Sequence, residues 1–322
     1  MQRSLKQITN VVLMIRPNRF RCNEQTAVNN YFQTESSRGL NEITVAAQTE
    51  FDNFTRILRG NGITVLIVQD NEKFDTPDSV FPNNWISFHH NAVSPTKTLD
   101  INIYPMFAVN RRHEKNLRAV IASTLESELG MSVVVANDYS IYEESDKFLE
   151  GTGSLILDRT NAIAYCARSA RAHPELLEKF CSDMRYTGVA FTAYQTVQEE
   201  RVPIYHTNVM MCVAETFAII CLDCIDDKAE HAQVVASLQL TGKEIITINE
   251  QQVSHFAGNM LQLQTKDLSP VLVMSSEAYS VLSVEQRDRI EVHCPIVHAP
   301  LPVIEENGGG SARCMMAEVF LS

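Results

Sequence analysis

The feature that most constrains the fold is a short pattern that keeps returning: a small or polar turn followed at once by a short apolar stretch. It reads FPNNWISF, LEGTGSLIL, YHTNVMMCV, FAGNMLQLQ and GGGSARCMMAEVF, beginning at residues 81, 149, 205, 256 and 308. A pattern repeating at intervals of this order marks one supersecondary unit used several times, each unit burying its apolar face against its neighbours. Stretches with apolar residues at helical spacing lie between these segments. RRHEKNLRAVIASTLESEL places Leu117, Val120, Ile121, Thr124 and Leu125 on one face, and HPELLEKFCSDM, DDKAEHAQVVASLQL and SSEAYSVLSVEQRDRI follow the later segments. The last three start with a Pro-Glu pair, an Asp and a Ser, the residues that open helices. Each leads into another apolar stretch: MSVVVAN, GVAFTAY, KEIITI and IEVHCPIV. The first unit combines NVVLMIRP, a helix around 42–59 and ITVLIVQD.

Units of turn, strand, helix and strand predict an α/β protein. The economical arrangement is a closed ring of ββαβ-like units, strands towards a central axis and helices outside. An open α/β sheet is the simpler alternative. No stretch reads as a linker, so residues 1–322 are expected to form a single domain. The net charge of -12 and the lack of a basic block argue against nucleic acid and anionic membranes as partners. The first apolar run, VVLMI, is broken by Arg16 and Pro17 and is too short for a signal peptide or a membrane span, which predicts a cytoplasmic protein. Eight irregularly spaced cysteines fit buried or catalytic thiols better than a disulfide framework. Cys221 and Cys224 form a C-x-x-C inside the apolar run FAIICLDCI, with no second pair to complete a zinc site, and read as ordinary core.

In a ring, equivalent turns gather at one end of the axis. Those turns carry Asn83 and Asn84, Glu150, His206 and Asn208, Asn259, and Cys314. A thiol, an imidazole and a carboxylate from three different units can therefore meet in one pocket. Together they are the parts of a nucleophilic site: the thiol attacks, the imidazole moves protons and the carboxylate orients it. Taken singly, Cys314 beside an apolar strand fits an inert core residue as well, and His206 fits a structural histidine. Glu150 has no packing reason to stand on the tight turn LEGTGS. The glycines before Cys314 allow close backbone approach to a substrate.

These motifs resemble the pentein superfamily of guanidine-modifying enzymes. LEGTGS is similar to its acidic-Gly-Gly motif, YHTN to its histidine motif, the terminal GGGSARC to its cysteine loop, and PDSVFPNNW to the Pro-Asp-x-Val-Phe-x-x-Asp segment of dimethylarginine hydrolases. The resemblance runs from MIRPNRF to the terminus. It implies a five-bladed α/β propeller of pseudosymmetric ββαβ repeats, with Cys314 as nucleophile, His206 as acid/base and Glu150 as its partner. Asp78 stands where relatives hold the substrate α-amino group, and Arg111 and Arg171 where they place arginines near its carboxylate. Such a headgroup needs one carboxylate and a guanidinium fork. Asn23 and Arg16, near the amino terminus, are further candidates to reach the site, though nothing local compels it. Arg313 reads as a solvated residue, or, if turned inward, as a cation beside the thiol. A thiolate paired with an imidazolium implies a bell-shaped pH–rate profile.

The chain departs from the relatives at two positions. Where arginine deiminases and dimethylarginine hydrolases carry an aspartate that grips the cationic guanidinium, this chain has Asn84. Where many relatives carry an aspartate after the histidine, it has Asn208. Burying a cation against neutral amides is costly. An amide both donates and accepts, which suits a neutral ureido group. PNNW and MIRP further resemble bacterial citrulline-utilisation hydrolases. The expected activity is cysteine-dependent hydrolysis of a ureido or guanidino C–N bond, with citrulline favoured and ornithine, carbon dioxide and ammonia as products. The alternatives are an arginine deiminase, dimethylarginine hydrolase or amidinotransferase, and, from another class, a non-catalytic binding protein of the same fold, as in the ribosome anti-association factor. The resemblance implies a small-molecule amino-acid substrate, no metal and no organic cofactor, and leaves homo-oligomerisation open.

Overall fold

The computed structural model describes residues 6–34, 38–90 and 97–321. The run VVLMI lies in β1 (Val11–Arg16), which pairs in parallel with β2 (Thr64–Gln69), Val11 opposite Thr64 and Arg16 opposite Gln69. Parallel neighbours require a crossover. The helix Leu40–Gly60 supplies it, burying Ile43, Ala47, Phe51, Phe54 and Leu58 at spacings of three and four. The pattern then repeats. β3 (Ile86–His90) is antiparallel to β4 (Thr98–Ile103), and β4 is parallel to β5 (Ser132–Asp138). β6 (Ile156–Asp158), β7 (Ile163–Ala167) and β8 (Thr187–Phe191) form the next sheet in the same sense. A hairpin of β9 (Tyr194–Val197) and β10 (Glu200–Pro203) intervenes. Then come β11 (Met211–Val213), β12 (Phe217–Ile220) and β13 (Glu244–Thr247), and β14 (Leu261–Gln264), β15 (Pro270–Ser275) and β16 (Ile296–Ala299).

The last strand, β17 (Ala317–Glu318), starts no further unit. It pairs antiparallel with β1, Leu13 opposite Ala317 and Val12 opposite Glu318. The two ends of the chain therefore build one three-stranded sheet, of the same order as the other four. This closure makes the molecule a five-bladed α/β propeller, not an open sheet. It also carries Cys314, three residues before β17, back to the chain's beginning.

Local chemistry accounts for most of the helices. Asp227 caps Lys228–Leu240 by accepting from the amides of Ala229 and Glu230. Pro174 opens Pro174–Met184. The stretch 110–129 is a 3-10 segment (Asn110–Leu117) running into an α-helix (Arg118–Leu129). Leu117, Ile121 and Leu125 are buried, but Val120 is exposed, because the inward stripe follows the four-residue spacing alone. SSEAYSVLSVEQRDRI is two helices, Ser276–Val281 and Val284–His293. Ser283 caps the second in a capping box with Gln286, so the chain restarts there. That helix takes in the first residues of IEVHCPIV, and the strand begins only at Ile296. Cys221 and Cys224 are both buried among the apolar residues of the β11–β12–β13 blade. No described helix is long and apolar enough to cross a membrane.

Candidate active site

Each blade begins with a tight turn, and the turns at residues 82–84, 151–154 and 207–209 are single helical turns that deliver their side chains before the strand starts. Glu150 and His206 each stand just ahead of such a turn. Their side chains meet: His206 Nε2 lies 2.8 Å from Glu150 Oε2. Glu150 is fully buried, and its other oxygen accepts from the backbone N–H of Phe107 at 2.9 Å. Burial would raise its pKa, but the Arg171 guanidinium 3.6 Å away and the histidine outweigh it and hold Glu150 at about 2. Burial, with Arg171 and Arg111 adding to it, pushes His206 down to about 4 despite Glu150. With Glu150 ionised and the imidazole neutral, Nε2 carries the proton and Nδ1 has a free lone pair.

The glycine of LEGTGS two residues before the strand-side leucine is set by this packing. A Cβ on Gly153 would stand 2.3 Å from Asn84 Nδ2 and 2.9 Å from both Cε1 and Nδ1 of His206. Only a residue without a side chain lets the amide and the imidazole lie together over that backbone. The tyrosine before the histidine flanks its other side, ring centroids 4.7 Å apart, and stacks beneath the Arg171 guanidinium at 4.7 Å.

Cys314 is buried, as a free thiol, in the loop after the helix Pro302–Gly308. Its Sγ receives two amide donors, Asn208 Nδ2 at 3.3 Å and Asn259 Nδ2 at 3.2 Å. Asn259 Oδ1 accepts from the backbone N–H of Arg313 (3.0 Å) and of Cys314 (3.4 Å), so a single side chain clamps the loop and the thiol together. Cys314, His206, Asn84, Asp78, Arg111 and Arg171 all face one small cavity, walled on another side by Gly308–Gly310. A Cβ on Gly308 would press to 2.7 Å from the Phe81 ring, which explains why a glycine run precedes the cysteine.

All eight predicted positions thus converge on this end of the axis, Glu150 and Asn208 through their contacts to His206 and Cys314. Two expectations need correction. Arg111 does not offer a free fork to a carboxylate: Glu114 takes Nε and Nη2 at 2.8 and 3.0 Å, and Nη1 donates to Asn84 Oδ1 at 2.8 Å. Arg313 is neither solvated nor beside the thiol. It turns away to Glu318 at 2.7 Å and the Met316 carbonyl at 2.8 Å, lining a separate cavity. Burial favours the neutral form of His206, which works against a resting thiolate–imidazolium pair. Of the two amino-terminal residues, Arg16 forks onto Asp52 at the surface, whereas Asn23 is buried and donates to Asp78 Oδ2 at 2.8 Å.

Several participants carried no local signal. Arg171 donates to Asn29 and to the Thr26 carbonyl, and Asn30 Nδ2 donates to the Gly308 carbonyl at 3.2 Å, so residues 23–34 cover the cavity. Nothing in their composition marks them. Asn259 was visible as a turn residue of the repeat, but its contact with sulfur depends on blade packing. Among the described residues, three buried polar atoms at or beside the cavity have no hydrogen-bond partner: Asp78 Oδ1, Asn84 Nδ2 and Asn208 Oδ1. Buried polar atoms are rarely left unpaired, so the cavity is furnished for a polar guest with both donors and acceptors.

A family model described as N,N dimethylarginine dimethylhydrolase, eukaryotic, matches residues 16–321. No protein of curated function matches the sequence. Among solved structures, the substrate-bound N-terminal domain of ArgZ, an arginine dihydrolase from the ornithine-ammonia cycle in cyanobacteria, is similar with a TM-score of 0.67 at 14% identity, over 96% of this chain and 97% of that one. Against full-length ArgZ the match covers 97% of this chain but 41% of the larger protein. AgrE in complex with ornithine and NAD+ gives a TM-score of 0.69 at 14% identity, over 97% of this chain and 39% of AgrE. A dimethylarginine dimethylaminohydrolase adduct with 4-chloro-2-hydroxymethylpyridine gives 0.58 at 12% identity, over 97% and 99% of the two chains. At these identities the likeness is one of fold.

Proposed function

We propose, from the premise that this chain belongs to the N,N-dimethylarginine dimethylhydrolase family of the pentein superfamily, that it is a cysteine hydrolase of the ureido or guanidino group of an arginine-like amino acid, with citrulline as its substrate. The bacterial citrulline-utilisation hydrolases are the branch it resembles in PNNW and MIRP.

The observation that carries the choice of substrate is the pair of neutral amides at the reacting end. Asn84 Nδ2 is an unpaired donor and Asn208 Oδ1 an unpaired acceptor, and both belong to side chains at the thiol or the imidazole. A ureido group has a carbonyl oxygen for the first and N–H groups for the second. A guanidinium has donors only and would leave Asn84 Nδ2 unmatched. Among the described residues, the one carboxylate lining the cavity is Asp78. Its unpaired Oδ1 suits a substrate ammonium, and burial raises its pKa against the pull of Arg111, so a cation there would also relieve the carboxylate. Arg171 is the arginine left for the substrate carboxylate, exchanging its bonds to Asn29 for it.

In the proposed reaction Cys314 Sγ attacks the ureido carbon while His206 Nδ1 takes the thiol proton. The imidazolium, held by Glu150, returns that proton to the departing nitrogen, which leaves as ammonia. This gives an S-carbamoyl link between Cys314 and the substrate's side-chain nitrogen. His206 then takes a proton from water, whose oxygen attacks the same carbon and expels the thiolate, which regains the proton. The carbamic acid set free loses carbon dioxide to give ornithine. A second reading, hydrolysis of arginine or a methylated arginine, is favoured by the family's own description.

The test is to incubate the purified protein separately with citrulline, arginine and dimethylarginine and to assay ornithine, citrulline, ammonia and dimethylamine. Ornithine and ammonia from citrulline support the first reading. Citrulline accumulating from either guanidino substrate selects the second. No product from any of them, together with eight equally unreactive thiols towards iodoacetamide, would leave a binding protein.

A further inference from the structure

Asn84 is the residue on which the ureido reading turns, and its usefulness depends on which end of the amide faces the cavity. An amide can be rotated by half a turn at almost no steric cost, so something must hold it. We propose that Arg111, itself held by Glu114, is a positioning residue that fixes the Asn84 carboxamide with its N–H₂ towards the reacting group and so makes the site select a substrate with an acceptor there. This rests on the ureido reading above.

A guanidinium has five N–H donors and no acceptor. The atom of Asn84 that meets Arg111 Nη1 at 2.8 Å is therefore its oxygen, and the opposite rotation would set two donors against each other. Arg111 cannot swing to accommodate it. Glu114 forks Nε and Nη2, and the carbonyls of Phe81 and Asp78 accept from Nη2 at 3.1 and 3.4 Å. Arginine and glutamate are both buried, so the pair has little alternative geometry. The other end of the amide, Nδ2, lies over Gly153 beside the His206 ring and has no hydrogen-bond partner among the described residues. A chain of contacts from Glu114 through Arg111 to Asn84 thus presents one N–H₂ group at the place where proton transfer is proposed. The spacing of Arg111 and Glu114, three residues apart in a 3-10 segment, puts both on one side of it.

The experiment is a double-mutant cycle between Asn84 and the ion pair, read on substrate discrimination. Arg111→Met and Glu114→Met are made together, so that no charge is left buried alone. Asn84→Ala is made in the wild-type and in the paired background, and kcat/KM is measured for citrulline and for arginine in all four proteins. In the wild-type background Asn84→Ala should lower kcat/KM for citrulline about tenfold to a hundredfold. In the paired background it should cost no more than about threefold, because a freely rotating amide has already lost its preference. The citrulline-to-arginine ratio should fall by about tenfold on removing the pair alone. A role confined to stability would lower the melting temperature while leaving the ratio and the coupling unchanged, and equal losses in both backgrounds overturn the proposal. If the paired variant does not fold, Arg111→Lys, which keeps the charge but not the fork, replaces it in the same cycle. Should the wild type act on arginine and not on citrulline, the ureido reading fails. The cycle run with arginine then still decides whether Arg111 acts through Asn84. In a protein that turns over neither, the cycle is run on Kd in the Cys314→Ala background, where the absence of binding to both overturns the proposal.

Discussion

His206 Nε2 stands 2.8 Å from Glu150 Oε2, and 56 residues of chain, a whole blade of the propeller, separate the two. The pair is buried, and Arg171 Nη1 lies 3.6 Å from the same Glu150 oxygen. Acid should therefore unfold the protein through these groups in two overlapping windows. His206 has a folded pKa of about 4, below its ordinary value, so the unfolded chain binds the extra proton first. Its contribution is fully present above about pH 6.5 and is lost as pH falls towards 4. Glu150, lowered to about 2, adds a loss of the same sign below about pH 4.5. Denaturant midpoints should hold from pH 8 to about 6.5 and fall from there to pH 3, and His206→Gln should flatten the upper part of that fall.

The same neutral histidine sets the acidic limb of the rate. If Nδ1 must accept the thiol proton, kcat/KM should hold down to about pH 5 and drop below it, wherever the protein remains folded. A limb centred near pH 6.5 would mean that His206 is protonated far more readily than its burial allows.

Cys314→Ala should abolish turnover with the fold retained. The stability cost should be about 1–3 kcal/mol, because the Nδ2 groups of Asn208 and Asn259 both lose the sulfur they donate to. Cys314→Ser should keep more of that stability and nearly as little activity, since a hydroxyl is a far weaker nucleophile near neutral pH. Circular dichroism and product assay on both variants separate the two effects.

Gly153→Ala should cost more in activity than in stability. A methyl group 2.3 Å from Asn84 Nδ2 and 2.9 Å from the His206 ring must displace one or both. A shift of this size at reacting groups lowers kcat by about a hundredfold. Unchanged kcat with a lowered melting temperature would show that neither side chain needs its present position.

The two asparagines should respond differently to aspartate. Asn84→Asp places a carboxylate against Arg111 and removes the donor aimed at the ureido oxygen, so kcat/KM for citrulline should fall about tenfold to a hundredfold while that for arginine rises relative to it. Asn208→Asp places an anion at the thiol instead, because Asn208 Nδ2 is 3.3 Å from Sγ. It should depress turnover of every substrate together, through repulsion of the negative charge that develops on sulfur. Parallel shifts in substrate ratio from both variants would show that they read substrate charge alike.

The repeat, the helices between its strands and the residues on its turns were legible in the chain because they are local. Apolar spacing reports which face of a helix or strand is buried, and a glycine-rich turn reports where backbones crowd. For that reason Cys314, His206, Glu150, Asn84 and Asn208 could be named from sequence. Their partners could not. That β17 closes the ring on β1 depends on strands separated by nearly the whole chain. That Asn259 clamps the cysteine loop, that Arg313 turns to Glu318 and that Arg111 is consumed by Glu114 and Asn84 depend on where each long side chain finds its counter-charge or acceptor. Sequence specifies which hydrogen-bonding groups a buried residue brings. Only the packed structure decides which of them are already satisfied by the protein, and those left over at the site among the described residues, on Asp78, Asn84 and Asn208, are what the cavity offers to a guest.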